Sequence, residues 1–190
     1  MSFENNDQIR QGEVELDETF VGGKNKNRHK SKKVKNSQGR SYIDKQPVLG
    51  MLNRGGRVLA KAVDNTSQEV ITPVVLNYVK KEMCMVYTDE WYGYRKIAKM
   101  YHHLFVTHGT GEYVKGRVHT NTMEGFWSWL KRGILGIYHS MSRKHIQKYL
   151  DEYVFRYNLR KMTSSQRFNL VLQYTDSTRI RYKDLVGLRR

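Results

Sequence analysis

The sequence predicts an α/β domain built on a mixed β-sheet, and three observations carry this prediction. Apolar and polar residues alternate over residues 14–21, which is the pattern of a half-buried strand. Two short apolar runs at 47–53 and 58–63 are joined by RGGR, a strong signal for a β-hairpin. A later apolar run at 84–88, with a helical pattern on either side, is typical of a buried parallel strand.

The first half of the chain is predicted to form three antiparallel strands and a helix. The first strand places Asp17 on one of its faces, and the hairpin supplies the second and third strands. Thr66 or Ser67 can cap a helix that runs towards Met83. Pro73 would either kink this helix or mark its first turn.

The second half is predicted to alternate strands and helices. Its elements are a strand at 84–88, a short helix at 92–101, a strand at 104–106, a loop at 108–117, a helix starting near Thr120 or Asn121, and helices at 142–157 and 164–174. Apolar residues at helical spacing predict a core-facing stripe made of Ile146, Tyr149, Leu150, Tyr153, Val154 and Tyr157. The order β-β-β-α-β-α-β-α-α is that of ribonuclease H-like folds, in which helices flank a mixed five-stranded sheet.

The chain is strongly basic. It carries 34 Lys and Arg against 18 Asp and Glu, which gives a net charge of +16 and a pI near 9.9. Solubility of a small domain needs a net charge of only about 2 to 8. The excess favours a polyanionic partner, of which nucleic acid is the commonest, over a merely solvated basic surface.

The most basic stretch is residues 24–35, KNKNRHKSKKVK, which holds seven cations and no carboxylate. It cannot bury a core face and is predicted to be a loop or a disordered arm. The arm either contacts DNA phosphates or is simply solvated. The candidate contacts are Lys24, Lys26, Arg28, Lys30, Lys32, Lys33 and Lys35.

The composition excludes several classes of protein. The single cysteine, Cys84, can form neither an internal disulfide nor a cysteine zinc cluster, and is predicted to lie in the core. No stretch approaches the roughly 20 apolar residues of a membrane span, and the first residues lack an apolar signal region. We expect a cytoplasmic, nucleoid-associated protein with a flexible N-terminus at 1–12 and a basic tail at 176–190.

Three carboxylates stand where a metal site would need them. Asp17 lies on the first strand, Asp89 follows the fourth, and Glu124 lies in the helical segment HTNTMEGFWSWLK. Carboxylate oxygens are the ligands that Mg²⁺ prefers, and two such ions can stabilise both the attacking and the leaving oxygen at phosphorus. Glu124 and Lys131 are about two helical turns apart, so they share one face. This spacing points to metal-dependent chemistry on a phosphate backbone.

Several residues of these segments have other interpretations. Asn121 and Glu124 stand as N-x-x-E, which is also a capping box at a helix start. Glu18 follows the first aspartate and should point to the opposite face, as a surface residue or as support behind a metal site. Trp127 and Trp129 cannot share a helix face, so one is predicted to lie in the core and the other to stack on a base or a partner.

Four segments of the chain resemble one known family. They are VELDETFVGGK at 14–24, VYTDEWYGY at 86–94, HTNTMEGFWSWLKRGILGIYH at 119–139 and HIQKYLDEYVFRYNLR at 145–160. They resemble the transposases of a bacterial insertion-sequence group related to the eukaryotic Merlin elements, within the wider DDE class. The resemblance implies a ribonuclease H-like catalytic domain over 13–175 that cleaves and joins DNA with Mg²⁺ or Mn²⁺, expected as two ions.

The resemblance also implies roles for single residues. Asp17 and Asp89 are expected to bind metal, and Glu124 is expected to supply the third ligand. In some interpretations of this group Asn121 holds that third position instead. The implied activity is DNA strand cleavage and strand transfer by a DDE-type transposase.

The implied partners are DNA, as element ends and as target, and further copies of the chain, with no membrane. Lys131, with Arg132 beside it, would contact DNA near the active centre. Members of this group usually carry an upstream zinc-ribbon or helix-turn-helix region that recognises the element ends. Because this sequence starts just before the first catalytic strand, recognition of those ends is not expected of it. A catalytically silent DNA-binding remnant of a truncated transposase is therefore the alternative to an enzyme.

Overall fold

The computed structural model describes residues 8–23, 25–35, 37, 39–106, 118–139, 141–176 and 181–182. The chain divides into two compact units, Met1–Tyr157 and Asn158–Arg190. The sequence predicted one catalytic domain over 13–175, whereas the final helix, Ser164–Asp176, falls in the second unit. Four large apolar side chains of this helix are exposed, which the helical pattern in the sequence could not reveal: Phe168, Val171, Leu172 and Tyr174.

The first unit contains one mixed sheet of five strands. The strands are β1 (Gly12–Val21), β2 (Gln46–Asn53), β3 (Val58–Ala62), β4 (Cys84–Asp89) and β5 (His102–Val106). Their order across the sheet is β3-β2-β1-β4-β5. Pairing is antiparallel between β1 and β2 and between β2 and β3, but parallel between β1 and β4 and between β4 and β5. The predicted hairpin and the predicted parallel strand are confirmed.

The described α-helices largely follow the prediction. They are α1 (Gln68–Tyr78), α2 (Arg95–Ala98), α3 (Asn121–Gly133), α4 (Ile146–Asn158) and α5 (Ser164–Asp176). The predicted helix at 92–101 is instead a 3₁₀ turn, Tyr92–Tyr94, followed by the single turn of α2. Pro73 lies inside α1 and does not mark its first turn. A π-helical turn, Ile134–Tyr138, continues α3.

Helices cover both faces of the sheet. On one face, Val14 and Leu16 of β1 pack in a core with Ile71 of α1 and with residues of α2. On the other face, side chains of β2 and β3 pack with α3 and α4, whose Leu130 and Leu150 are fully buried. Five members of the predicted stripe of α4 are confirmed as core, with Ile146, Leu150 and Tyr153 buried and Val154 and Tyr157 packed against them. The sixth, Tyr149, is half-buried outside this cluster and packs edge-on against Tyr138. The molecule has the mixed α/β architecture of a ribonuclease H-like fold, as predicted.

The N-terminal segment differs from its prediction. Ile9 is only 5% exposed, and its N–H donates to the Tyr78 carbonyl at 2.8 Å. Its own carbonyl accepts from the Lys80 N–H at 2.9 Å, so residue 9 forms a parallel bridge beside the end of α1. Within the segment 1–12 that the sequence predicts to be flexible, the apolar side chain of Ile9 therefore joins the core.

Some predictions fall on other parts of the chain. The loop predicted at 108–117 and most of the basic tail predicted at 176–190 lie outside the described residues. Cys84 is buried, as predicted. Within the described ranges, no helix has the length and apolar character needed to span a membrane.

Candidate active site

Asp17 of β1 and Asp89 of β4 occupy matching positions on neighbouring parallel strands. The last register pair between these strands joins Glu15 to Tyr87, and each aspartate lies two residues further along its own strand. Residues two apart on a strand point to the same face, and adjacent strands lie about 4.8 Å apart. The sheet therefore brings the two aspartates side by side at the carboxyl end of β4, where α/β sheets place functional groups.

Both carboxylate oxygens of Asp17 accept hydrogen bonds. Oδ1 accepts the N–H of Glu18 at 2.9 Å, and Oδ2 accepts the indole N–H of Trp127 at 3.0 Å. Burial, together with the negative charges of Glu18 and Asp89, raises the pKa of Asp17 to about 8. The two hydrogen bonds lower this pKa, but less than burial and the neighbouring negative charges raise it.

The carboxylate of Asp89 accepts a backbone hydrogen bond from the residues that follow it and lies near an arginine from the loop before β2. Its Oδ1 accepts the backbone N–H of Trp91 at 3.0 Å. Its Oδ2 lies 3.9 Å from Nη2 of Arg40, whose guanidinium also lies 5.2 Å from the centre of the Trp91 ring. The side chain of Arg40 is 61% exposed, so this cation stands between the carboxylate and solvent.

Glu18 is not a surface residue, so that alternative is wrong. It is 9% exposed, and its Oε2 accepts the hydroxyl of Tyr94 at 2.7 Å. Strand alternation does turn it away from Asp17, but β1 is the central strand and helices cover both of its faces. Burial, followed by the charge of Asp89, raises the pKa of Glu18. The residue supports the site from behind.

A further buried carboxylate, which sequence reasoning missed, anchors α3 to β1. Glu15 is fully buried. Its Oε1 accepts a hydrogen bond from Nε of Arg54 at 2.7 Å and another from the hydroxyl of Thr122 at 3.0 Å. Its Oε2 accepts the backbone N–H of Met123 at 2.9 Å. A negative charge is favoured at a helix N-terminus, where backbone N–H groups lack partners within the helix. The alternation of β1 could have placed Glu15 on the face of Asp17, but only the fold reveals what covers that face.

The two residues that could supply the third metal ligand, beside Asp17 and Asp89, lie in the first turn of α3. The side chains of Asn121 and Glu124 are both exposed. The N-cap residue is Thr120, which makes no side-chain capping hydrogen bond, and its carbonyl accepts the N–H of Glu124 at 3.0 Å. The capping-box interpretation is therefore wrong, because the carboxylate of Glu15 satisfies this helix start instead.

The two cations predicted near the active centre lie at the end of α3. The Lys131 side chain is exposed on the whole, yet the surrounding protein desolvates its ammonium group enough to lower the pKa. The charge of Asp17 opposes this shift, and that of Lys45 adds to it, so all three groups are close. Arg132 is also exposed and donates to the hydroxyl of Ser128 at 3.0 Å.

The described part of the basic arm is a folded loop. Asn25 closes it, because its side-chain amide donates to the Val34 carbonyl at 2.7 Å and accepts the Val34 N–H at 3.0 Å. Arg28 donates to the carbonyl of Asp44 at 2.9 Å, which ties the loop to the strand-bearing part of the chain. Lys24 lies outside the described residues. The exposed arm lysines are Lys26, Lys30, Lys32, Lys33 and Lys35.

The donor set of Asp17 and Asp89 fits a divalent cation. Burial, then the charge of Glu18 and then that of Asp89, raise the pKa of Asp17, and a cation between Asp17 and Asp89 would offset the negative charge gathered here. Their oxygens are the hard ligands that Mg²⁺ and Mn²⁺ prefer. Among the residues that the structure describes, no three His, Cys, Asp or Glu side chains form a group that could hold a metal, so Glu124 does not complete the pair here.

Comparison with known proteins identifies related sequences. Residues 9–158 match the family described as "ISXO2-like transposase domain". The chain is also 27% identical, over 171 residues, to an "Uncharacterized protein in transposable element ISH50" of Halobacterium salinarum. That alignment covers 86% of this chain but only 58% of the relative. No solved structure matches. Because the family match covers most of its length, the chain belongs to the ISXO2-like transposase domain family.

Proposed function

We propose that this chain is the catalytic domain of a DNA transposase of the DDE type, which cleaves DNA strands and joins them with the help of divalent metal ions. The observation that carries the proposal is the placement of Asp17 and Asp89 at matching positions on adjacent parallel strands. Membership of a transposase family supplies the class of substrate, DNA. Kinship with the Merlin elements is part of the same proposal.

Asp17 and Asp89 would hold the metal, with Glu124 of α3 as the third ligand. When bound, Mg²⁺ or Mn²⁺ supplies charge stabilisation to the attacking and leaving oxygens at phosphorus, most effectively as two ions. Asp17 can serve as a ligand while keeping its hydrogen bonds to Glu18 and Trp127, because each carboxylate oxygen has a second lone pair. Glu124 would have to turn inward from its exposed position in the first turn of α3.

The reaction consists of two displacements at phosphorus. In the first, water attacks a phosphodiester, the bond to the 3′ oxygen breaks, and a 3′-hydroxyl and a 5′-phosphate result. In the second, that 3′-hydroxyl attacks a target phosphodiester and displaces a new 3′-hydroxyl. The second step exchanges one P–O bond for another, so it requires no external energy source. Lys131, which is close enough to Asp17 to interact with its charge, would offset the charge of the phosphate backbone.

DNA would be held by the basic surface around this pair. The exposed lysines of the arm supply phosphate contacts that do not depend on base sequence. The chain spans 58% of the length of the relative it matches, so recognition of element ends and the complete transposition reaction are proposals for the longer protein. Action as a homo-oligomer on DNA, and location at the nucleoid, belong to the same proposal.

The test is a nicking assay on supercoiled plasmid, in which the conversion to open circles is measured on a gel. The wild-type chain should nick with Mg²⁺ or Mn²⁺ and stop when EDTA is added. Asp17→Asn and Asp89→Asn should each lower the rate at least a hundredfold, about 3 kcal/mol of barrier. Asp64→Asn, which removes an exposed carboxylate outside the site, is the matched control and should keep the wild-type rate.

Two outcomes would contradict the proposal. Equal nicking by all four proteins would assign the activity to a contaminating nuclease. DNA binding without any metal-dependent nicking would leave the alternative, a catalytically silent DNA-binding remnant.

A further inference from the structure

Trp127 contacts the candidate active site through a single polar atom. Its side chain is 4% exposed, and its indole N–H donates to Oδ2 of Asp17 at 3.0 Å across 110 residues of sequence. The ring packs against Phe126, with 5.3 Å between the ring centres, inside the core formed by the sheet, α3 and α4. An indole buried in this way has little freedom to turn, so its N–H points at one place.

Gly50 makes the position of this ring possible. It is the cross-strand partner of Asp17 in the β1–β2 pairing. A Cβ atom at residue 50 would lie 2.5 Å from Cζ2 of Trp127 and 2.1 Å from Cε of Met123. Both distances are shorter than any van der Waals contact. A side chain at position 50 would therefore require both the end of Met123 and the rigid indole of Trp127 to shift from these positions.

The two hydrogen bonds to Asp17 come from different parts of the fold. The N–H of Glu18 is fixed by β1 itself, whereas that of Trp127 is fixed by the packing of α3 on the sheet. With one donor on each oxygen, the plane of the carboxylate is determined. Both donors are neutral, so they orient a metal ligand without competing for the position of a cation, which a lysine or an arginine would do.

We propose that Trp127 is a positioning residue for metal binding, with Gly50 providing the space that its ring requires. Its indole N–H holds the Asp17 carboxylate in the orientation that receives the ion, and couples the docking of α3 to the metal site. This inference rests on the proposed function, because it requires that Asp17 bind a metal. Hydrogen-bonding partners behind metal ligands typically contribute about 10–100-fold to metal affinity.

The experiment measures Mn²⁺ affinity by titration calorimetry on the whole chain, without DNA. Trp127→Phe keeps an aromatic ring in the core and removes the N–H, and should weaken Mn²⁺ binding by about 10–100-fold. Trp129→Phe is the matched control. Trp129 lies on the same helix and packs edge-on against Tyr153 at 4.8 Å, in the same core. This variant should bind Mn²⁺ as the wild type does.

A second variant guards against a purely structural effect. Gly50→Ala leaves Asp17 and Trp127 chemically intact but displaces the ring, and should lose Mn²⁺ affinity to a similar degree. Unfolding midpoints measured in EDTA show whether each variant is folded. If the wild type itself binds no Mn²⁺, the proposed function fails. If the wild type binds Mn²⁺ and the folded Trp127→Phe or Gly50→Ala variant binds it equally well, the inference about Trp127 is overturned.

Discussion

The carboxylate of Glu15 and the backbone N–H of Met123 are joined by a hydrogen bond of 2.9 Å that fastens the first turn of α3 to β1. The same carboxylate forms an ion pair with Arg54 at 2.7 Å and is fully buried. The position of α3 on the sheet therefore depends on a buried charge. Removing one partner of such a pair leaves the other as an uncompensated ion, which is costly.

Glu15→Ala should lower the free energy of unfolding by about 3–5 kcal/mol, because the largely buried Arg54 loses its shorter ion pair and the Thr122 hydroxyl and Met123 N–H lose their acceptor. Glu13→Ala is the control. Glu13 is 34% exposed, lies 3.5 Å from the same arginine and accepts the hydroxyl hydrogen of Tyr87 at 2.8 Å, so its loss should cost less, about 1–2 kcal/mol. Urea unfolding followed by circular dichroism measures both. If the two variants lose the same free energy of unfolding, the buried ion pair of Glu15 contributes no more to stability than the exposed one of Glu13.

The raised pKa of Asp17 makes stability depend on pH. The folded chain holds the Asp17 proton up to about pH 8, whereas the unfolded chain releases it near 3.8. The contribution of Asp17 to stability is therefore fully present below about pH 4 and is lost as pH rises through about 8. Between pH 5 and pH 8 in metal-free buffer, the wild type should lose at least about 1 kcal/mol more than Asp17→Asn does. If the free energy of unfolding depends on pH in the same way for the two proteins, the pKa of Asp17 is not raised.

The choice between Glu124 and Asn121 can be made by comparing activity with stability. Both side chains are exposed and neither caps α3, so Glu124→Gln and Asn121→Ala should each change stability by less than about 0.5 kcal/mol. If Glu124 supplies the third ligand, Glu124→Gln should lower plasmid nicking at least about a hundredfold, about 3 kcal/mol of barrier, and Asn121→Ala should lower it much less. The reverse pattern would place Asn121 at the third position.

The arm should govern the salt dependence of DNA binding. Changing Lys26, Lys30, Lys32 and Lys33 to Gln should flatten the plot of log affinity against log salt, by about 0.9 for each DNA phosphate that the arm no longer neutralises. A control with equal charge loss changes the exposed Lys80, Lys81, Lys96 and Lys99. Fluorescence anisotropy on duplexes of two unrelated sequences measures both. If the two variants have the same slope, the arm is only a solvated loop.

Much of the fold could be predicted because its signals are local. The first strand, the hairpin turn and most of the helical stripe of α4 each depend on residues close in sequence, and these are confirmed. The half-buried character that the alternation indicated for β1 is wrong, because both faces of this strand are covered. The closeness of Asp17 and Asp89 is in keeping with the expected fold, since each lies two residues beyond the last register pair of adjacent strands. The second unit was not predicted, because no composition change marks residue 158.

The environment of the site could not be predicted in the same way. Glu18 was expected at the surface as one of two alternatives, since alternation alone does not tell whether a strand is covered on one face or on both. The capping box of Asn121 and Glu124 was a valid local pattern, but a distant carboxylate, Glu15, takes its place. The hydrogen bond from Trp127 to Asp17 likewise depends on tertiary packing, of which the sequence gives no sign.

The central place of β1 has a consequence for how the chain is made. Until Cys84–Asp89 has been synthesised, β1 is the open edge of a three-stranded antiparallel sheet, because β4 is its other neighbour. An uncovered edge invites pairing with another nascent chain. The acidic residues of this edge, Glu13, Glu15, Asp17 and Glu18, repel a second copy of the same strand. The carboxylates that crowd the finished molecule would thus protect the unfinished one from aggregation.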